Sequence, residues 1–256
     1  MTDEPALLTE RQGNVLVITL NRPDARNAVN GALANGMAEA LDTLDGDDEL
    51  SVGVITGAGK GFCSGMDLKA FVSGDAPFHP VRGFAGIVQK PADKPLIAAV
   101  EGFAVAGGFE IALACDLLVA AKGARLGVPE AKRSLVAAGG ALLRLPRKLP
   151  GNLAMELALT GDPIDTERGA ELGLVNRVVE PGGALDGALE LAGAIAKNGP
   201  LALAATKKIL VQSADWTDEE FWQKQMEIAG PVMGSEDARE GATAFAEKRD
   251  PVWKGR

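Results

Sequence analysis

Residues 100–116, Val-Glu-Gly-Phe-Ala-Val-Ala-Gly-Gly-Phe-Glu-Ile-Ala-Leu-Ala-Cys-Asp, constrain the fold more than any other stretch of the chain. The apolar run 95–100 leading into them and the run 117–121 after them suit two buried strands. Between the two, Gly107-Gly108 falls where a strand-following loop turns into a short helix over 109–114. A glycine pair lets the backbone approach a ligand without Cβ interference. The helix start leaves N–H groups unpaired, with the positive end of the dipole behind them. That arrangement suits an anion, whether a phosphate or the oxyanion of a polarised carbonyl. Glu110 lies in the same first turn, within reach of whatever binds. Read alone, these residues also describe a buried helix whose first-turn glutamate offsets the dipole.

Composition narrows the classes. A chain of 256 residues builds one large domain, or one domain with an appendage, and a hydrophobic content of 46% supplies a sizeable core. The excess of 35 acidic over 26 basic residues removes any sequence-wide basic footprint for nucleic acid or anionic membrane. Tyrosine is absent and other aromatics are few, so no stacking surface for bases is apparent. A polyanionic ligand therefore needs a locally placed Lys or Arg. Cys63 and Cys115 stand far apart and outside any Cys-x-x-Cys spacing, which supports neither a disulfide framework nor a metal site. The acidic start Met-Thr-Asp-Glu-Pro lacks the apolar segment of a signal peptide. The most apolar region, 96–121, is interrupted by Glu101, Glu110 and Asp116, against a membrane span. A soluble cytoplasmic protein is expected.

In chain order, the runs 7–10 and 15–20 flank Gln12-Gly13-Asn14 as a hairpin. Asn30 is placed to cap a helix to about 44, with Leu33, Met37, Leu41 and Leu44 on one face. A strand over 51–56 precedes the glycine-rich loop 57–68. A Walker A loop needs glycine at 54 and Ser or Thr at 61, where Val54 and Gly61 stand, and the dinucleotide pattern fails at Phe62. What remains is a second strand-to-helix junction, with Gly65-Met66 opening a short helix through Phe71. Two junctions that each donate a backbone N–H are the minimum for an oxyanion hole. His79, the only histidine, reads as a solvated loop residue. Glu130 follows a proline and precedes the pair Gly139-Gly140; it reads as a helix N-terminal acid or as a functional group. Helices are expected over 140–148, 152–160, 184–198, 201–213, from the capping box Thr217-x-x-Glu220 to about 229, and over 237–245. The spacing places a last edge strand at 175–179 and divides the chain into an α/β core, 1–182, and a helical region, 183–256.

The motifs together resemble the crotonase (enoyl-CoA hydratase/isomerase) superfamily over nearly the whole chain. They are Asn21-Arg-Pro, Gly61-Phe-Cys-Ser-Gly-Met-Asp-Leu68, Lys94-Pro-Leu-Ile-Ala-Ala-Val-Glu-Gly102, Ala106-Gly-Gly-Phe-Glu110 and Pro129-Glu130. Leu157-Ala-Leu-Thr-Gly161, Gly173-Leu-Val-Asn176 and Ala244-Phe-Ala-Glu-Lys248 add to them. The C-terminal tail and Pro129-Glu-Ala-Lys132 resemble the carnitinyl-CoA dehydratase branch. The resemblance implies a spiral of ββα units with a helical C-terminal trimerisation subdomain, assembled as a trimer or dimer of trimers.

For the site, the resemblance implies Met66 and Gly107 N–H groups as the oxyanion hole for a thioester carbonyl, with Glu110 and Glu130 as the hydratase carboxyls. It implies coenzyme A contacts around Ala25 and Arg26, at Ser64, Asp67, Leu68 and Lys69, and at Phe245 and Lys248 of a neighbouring subunit. The implied activity is hydration of a 2-enoyl-CoA, with an isomerase, a carnitinyl-CoA-type dehydratase or a non-catalytic acyl-CoA binder as alternatives. No metal and no cofactor beyond the coenzyme A of the substrate are implied. Retention of both glutamates favours water chemistry. One departure stands out: the turn before the glycine pair is Val136-Ala-Ala rather than the family's Pro-Gly-containing turn.

Overall fold

A two-residue turn builds the first hairpin: β1 (Leu7–Gln12), largely exposed, pairs antiparallel with the largely buried β2 (Val15–Leu20) around Gly13-Asn14. These strands belong to a computed structural model that describes residues 4–256; Met1, Thr2 and Asp3 of the acidic start lie outside the described residues. The chain then crosses over through α1 (Gly31–Gly46), where the Asn30 side chain accepts the Leu33 amide at 3.1 Å. Leu33, Met37, Leu41 and Leu44 are all fully buried, as their spacing requires. β3 (Val52–Gly57) follows parallel to β2.

Beyond the glycine-rich loop come α2 (Leu68–Val72) and a small antiparallel pair, β4 (Phe78–His79) with β5 (Gly83–Phe84). The expected helix start at Gly65-Met66 is corrected here. The Asp67 carboxylate accepts the Lys69 and Ala70 amides at 3.1 Å each, so the cap, and with it the helix, begins after Asp67. His79 is half-buried rather than a free loop residue, its Nδ1 accepting the Val81 and Arg82 amides.

Three successive passes of the chain then repeat one pattern. In the second pass, β6 (Leu96–Val100) and β7 (Phe103–Val105) lead into α3 (Gly107–Ala114); in the third, β8 (Leu117–Ala121) and β9 (Arg125–Gly127) lead toward α4 (Ala141–Lys148). The first pass is β3, an isolated bridge at Cys63 and α2. Each pass adds a parallel strand to the main sheet, giving β3-β6-β8, and a second one to a small row, Cys63 to β7 to β9. This stepwise shift is the spiral of ββα units. The short strands of the small row do not show in the sequence pattern.

The rest of the chain closes the core. It comprises α5 (Gly151–Thr160), β10 (Ile164–Asp165), α6 (Thr166–Glu171) and β11 (Arg177–Val179). β11 completes the six-stranded order β1-β2-β3-β6-β8-β11, and β10 joins β9. The central parallel strands β6 and β8, covered on both faces, are apolar throughout. Leu96, Ala98 and Val100 face the α1–α3 side, whereas Ile97 and Ala99 face α7 (Ala184–Ala196). Ala184, Ala188, Ala192 and Ala196 form the buried stripe of α7. Glu101 accepts the Gly182 and Ala184 amides at 3.1 and 2.9 Å, so a core residue caps this helix from outside its own sequence.

α8 (Pro200–Gln212), α9 (Asp218–Met233) and α10 (Glu236–Glu247) follow. Lys207 tethers α8 to the core through Asp116, 2.7 Å away. The Thr217–Glu220 capping box opens α9 as expected. Trp222, Met226 and Met233 on α9 stay exposed. Among the described residues no helix is long and apolar enough to cross a membrane.

Candidate active site

Three backbone segments converge on the start of α3. Ser64 N donates to Arg26 O at 3.1 Å, Val29 N to Gly65 O at 2.8 Å and Asp67 N to Val29 O at 2.9 Å, which threads the 61–68 loop along 26–29. On its other side Val105 N donates to Cys63 O at 3.1 Å, laying the same loop against β7. Gly65, at φ 98°, therefore abuts α3: a Cβ there would stand 3.0 Å from Gly107 N. A Cβ on Gly108 would run into the Cys63 carbonyl. These two approaches require glycine. Among the described residues neither the Met66 nor the Gly107 amide finds an acceptor. Met66 reaches this place as a bridge partner of Val29 rather than as a helix start.

Glu110 is buried on α3, whose eight residues are all buried. Its Oε1 accepts the amide of Ala141, the first residue of α4, at 3.1 Å. Burial pushes its carboxyl above the ordinary range; the Ala141 amide opposes this, the nearby Glu130 carboxylate adds to it, and the Gly139 amide and Arg144 also oppose it. Glu130 stands on the 3-10 turn Pro129–Arg133. Its Oε2 is buried and has no hydrogen-bond partner among the described residues. Burial raises its pKa too, against its own amide and Arg133.

The other predicted residues divide into two groups. Ala25 ends the 3-10 turn Pro23–Ala25, Arg26 follows at φ 54° and is joined to Ser64 by the loop bond above, and Leu68 and Lys69 form the first turn of α2. Asp67 is in that group, but its carboxylate is already engaged by the α2 cap and by Arg22 at 2.9 Å. Phe245 lies at the end of α10, which packs on α9, and Lys248 caps it; among the described residues no hydrogen bond or ion pair joins either to the 61–68 loop. Cys63 and Cys115 are buried, and burial pushes both thiols up to about 12, so neither is a thiolate nucleophile.

Two residues of the site went unseen in the sequence. Phe84 is buried with its ring 2.6 Å from where a Cβ on Gly107 would stand. Arg144 donates from Nη2 to Val88 O at 2.6 Å and faces Glu110. Phe84 had no local signal. For Arg144 the only one was a cation near the start of a helix, where the dipole disfavours it.

Residues 10–256 match the family model described as enoyl-CoA hydratase/isomerase. The chain belongs to that family. An enoyl-CoA hydratase of Mycobacterium tuberculosis, EchA19, is 42% identical over 98% of this chain and 97% of its own length. A carnitinyl-CoA dehydratase of Salmonella paratyphi A is 45% identical over 96% of this chain and 97% of its own. The crystal structure of an enoyl-CoA hydratase from Mycobacterium tuberculosis superposes with a TM-score of 0.97 at 55% identity, covering 99% of this chain and all of that one, 100%. The spiral described above is thus the crotonase fold of the enoyl-CoA hydratase/isomerase family. Glu110 and Glu130 stand on two successive passes of the spiral.

Proposed function

We propose that the chain is an enoyl-CoA hydratase, adding water reversibly and with syn geometry to a 2-enoyl-CoA thioester. The observation that carries this reading is two carboxyls raised by burial, the buried Glu110 and the half-buried Glu130, in one spiral with two amides that have no acceptor among the described residues, Met66 and Gly107. The amides receive the thioester oxygen and withdraw charge from the double bond. Water attacks C3 while one carboxylate takes its proton. The resulting enolate is held by the two N–H groups, a contribution of about 10²–10³ in kcat per donor. The second carboxyl, protonated, delivers its proton to C2. Burial supports this division of labour, because it raises both carboxyls and so favours a protonated form that can act as the acid.

Coenzyme A enters as part of the substrate, and no separate cofactor is needed. Arg26 and Lys69 supply local positive charge beside the 61–68 loop, which offsets the acidic total. Phe245 and Lys248 complete the nucleotide site from a neighbouring subunit of a trimer or dimer of trimers.

Run backwards, the same groups dehydrate, and the similarity to a carnitinyl-CoA dehydratase supports that second reading. Beside Gly107, Phe84 pairs edge-on with Phe78, centroids 5.7 Å apart, and such rings accept a hydrocarbon chain or a quaternary ammonium alike. The deciding experiment offers purified protein a panel of enoyl-CoA thioesters with apolar or quaternary-ammonium acyl groups and follows the conjugated thioester absorbance. Rapid loss with the apolar members is expected. A preference for the quaternary-ammonium thioester selects the dehydratase reading, and no turnover of any member sinks both.

A further inference from the structure

α4 has no acidic residue in its first turn, and the charge it carries near that end is a cation, Arg144. A cation there opposes the helix dipole. Such a local misfit marks a residue held for another purpose. The Arg144 guanidinium folds back over the N-terminus of α4, so that Nη1 lies against Gly140, itself at φ 101°. Nη2 donates to Val88 O at 2.6 Å and so holds the 84–88 segment. That segment carries the Phe84 ring, which stands against Gly107. The same turn of α4 carries Ala141, whose amide holds Glu110.

We propose that Arg144 is a positioning residue: one guanidinium keeps the amide clamp on Glu110 and the Phe84 flank of Gly107 in a single register, and faces Glu110 with a positive charge. The inference rests on the reading of Glu110 as a reacting carboxyl. Few charges compete with it. Glu130 from the 3-10 turn and Arg144 from α4 face Glu110, while β7 and the 84–88 segment carry none. Arg144 in turn faces Glu110, the buried Cys115 and Arg147. Its charge holds the Glu110 carboxyl below where burial alone would put it.

Two variants separate charge from brace. Arg144→Gln keeps a donor for Val88 O and removes the charge; Arg144→Lys keeps the charge and gives up the forked geometry. Both are compared with wild type by circular dichroism, thermal melting and the pH dependence of kcat/KM. For the Gln variant, kcat is expected to fall about tenfold or more, with KM changing less and one limb of the pH profile moving to higher pH. For the Lys variant the limb is expected to stay in place while kcat falls. A folded Gln variant with wild-type kcat and an unmoved limb overturns the proposal. Failure of both variants to fold overturns it equally, since Arg144 would then be a brace of the fold alone. Wild-type protein inactive on every enoyl-CoA removes the hydratase reading instead, so the two failures are distinguishable.

Discussion

Glu110 on α3 is tied to Ala141 on α4: its Oε1 accepts the Ala141 amide at 3.1 Å, so one helix start holds the acid of another. The bond favours the ionised carboxylate, whereas burial and Glu130 favour the neutral one. Burial raises the Glu110 carboxyl and the Ala141 amide fixes its direction, two features that suit a proton-transferring group.

Removing either acid should leave binding and remove chemistry. Glu110→Gln and Glu130→Gln are each expected to lower hydration kcat by about 10² or more, with coenzyme A ester binding kept within several-fold. Steady-state kinetics and competition by a saturated acyl-CoA check this. Near wild-type kcat in either variant takes that residue out of the mechanism.

The same burial predicts a stability gain with a defined pH dependence. Burial raises the Glu110 carboxyl above its unfolded value, so the native protein binds more protons than the unfolded chain in between. Stability on this account is fullest below the unfolded value and falls as pH rises through the folded one. Glu110→Gln does not titrate and keeps an oxygen for the Ala141 amide. Its Tm is expected to exceed that of wild type near pH 7, the gain fading below the ordinary carboxylate range. Equal melting temperatures near pH 7 refute it.

Gly107→Ala tests the oxyanion hole only when the packing beside it is relieved. A Cβ at Gly107 meets the Phe84 ring at 2.6 Å, so the single variant is expected to lose stability as well as activity. Adding Phe84→Leu should restore much of the melting temperature and leave kcat low. The remaining loss is expected at roughly 2.7–4 kcal/mol of barrier, the scale of one oxyanion donor. A folded double variant with wild-type kcat places the thioester oxygen elsewhere.

An oligomer is expected from the apolar surface of the last helices. Trp222 and Met233 are 68% and 67% exposed, and Phe245 is 88% exposed. Among the described residues no strand or further helix covers them, and a lone chain would present this surface to water. Light scattering at micromolar concentration should return a trimer or hexamer mass. A monomer mass rules the assembly out, and with it the supply of Phe245 and Lys248 from a neighbour.

Much of the fold was legible because its signals are local. The Gly13-Asn14 turn, the face of three leucines and one methionine on α1, the apolar runs of β3, β6 and β8 and the Thr217 capping box each lie within one element, where period and cap chemistry decide the conformation. The two glutamates and the glycine pair were visible for the same reason. Their meeting was not. β7, β9 and β10 are two or three residues long, too short to show a period, yet they align the passes of the spiral. Asp67 moved the start of α2 because its carboxylate caps Lys69 and Ala70, and the same carboxylate is shared with a distant Arg22. Met66, Phe84, Ala141 and Arg144 come to Gly107 and Glu110 from segments far apart in the chain. Residue types and their order were written in the sequence by itself. Which amides went unpaired, and which charges came face to face, only tertiary packing decided, because contacts between distant segments have no local period to announce them.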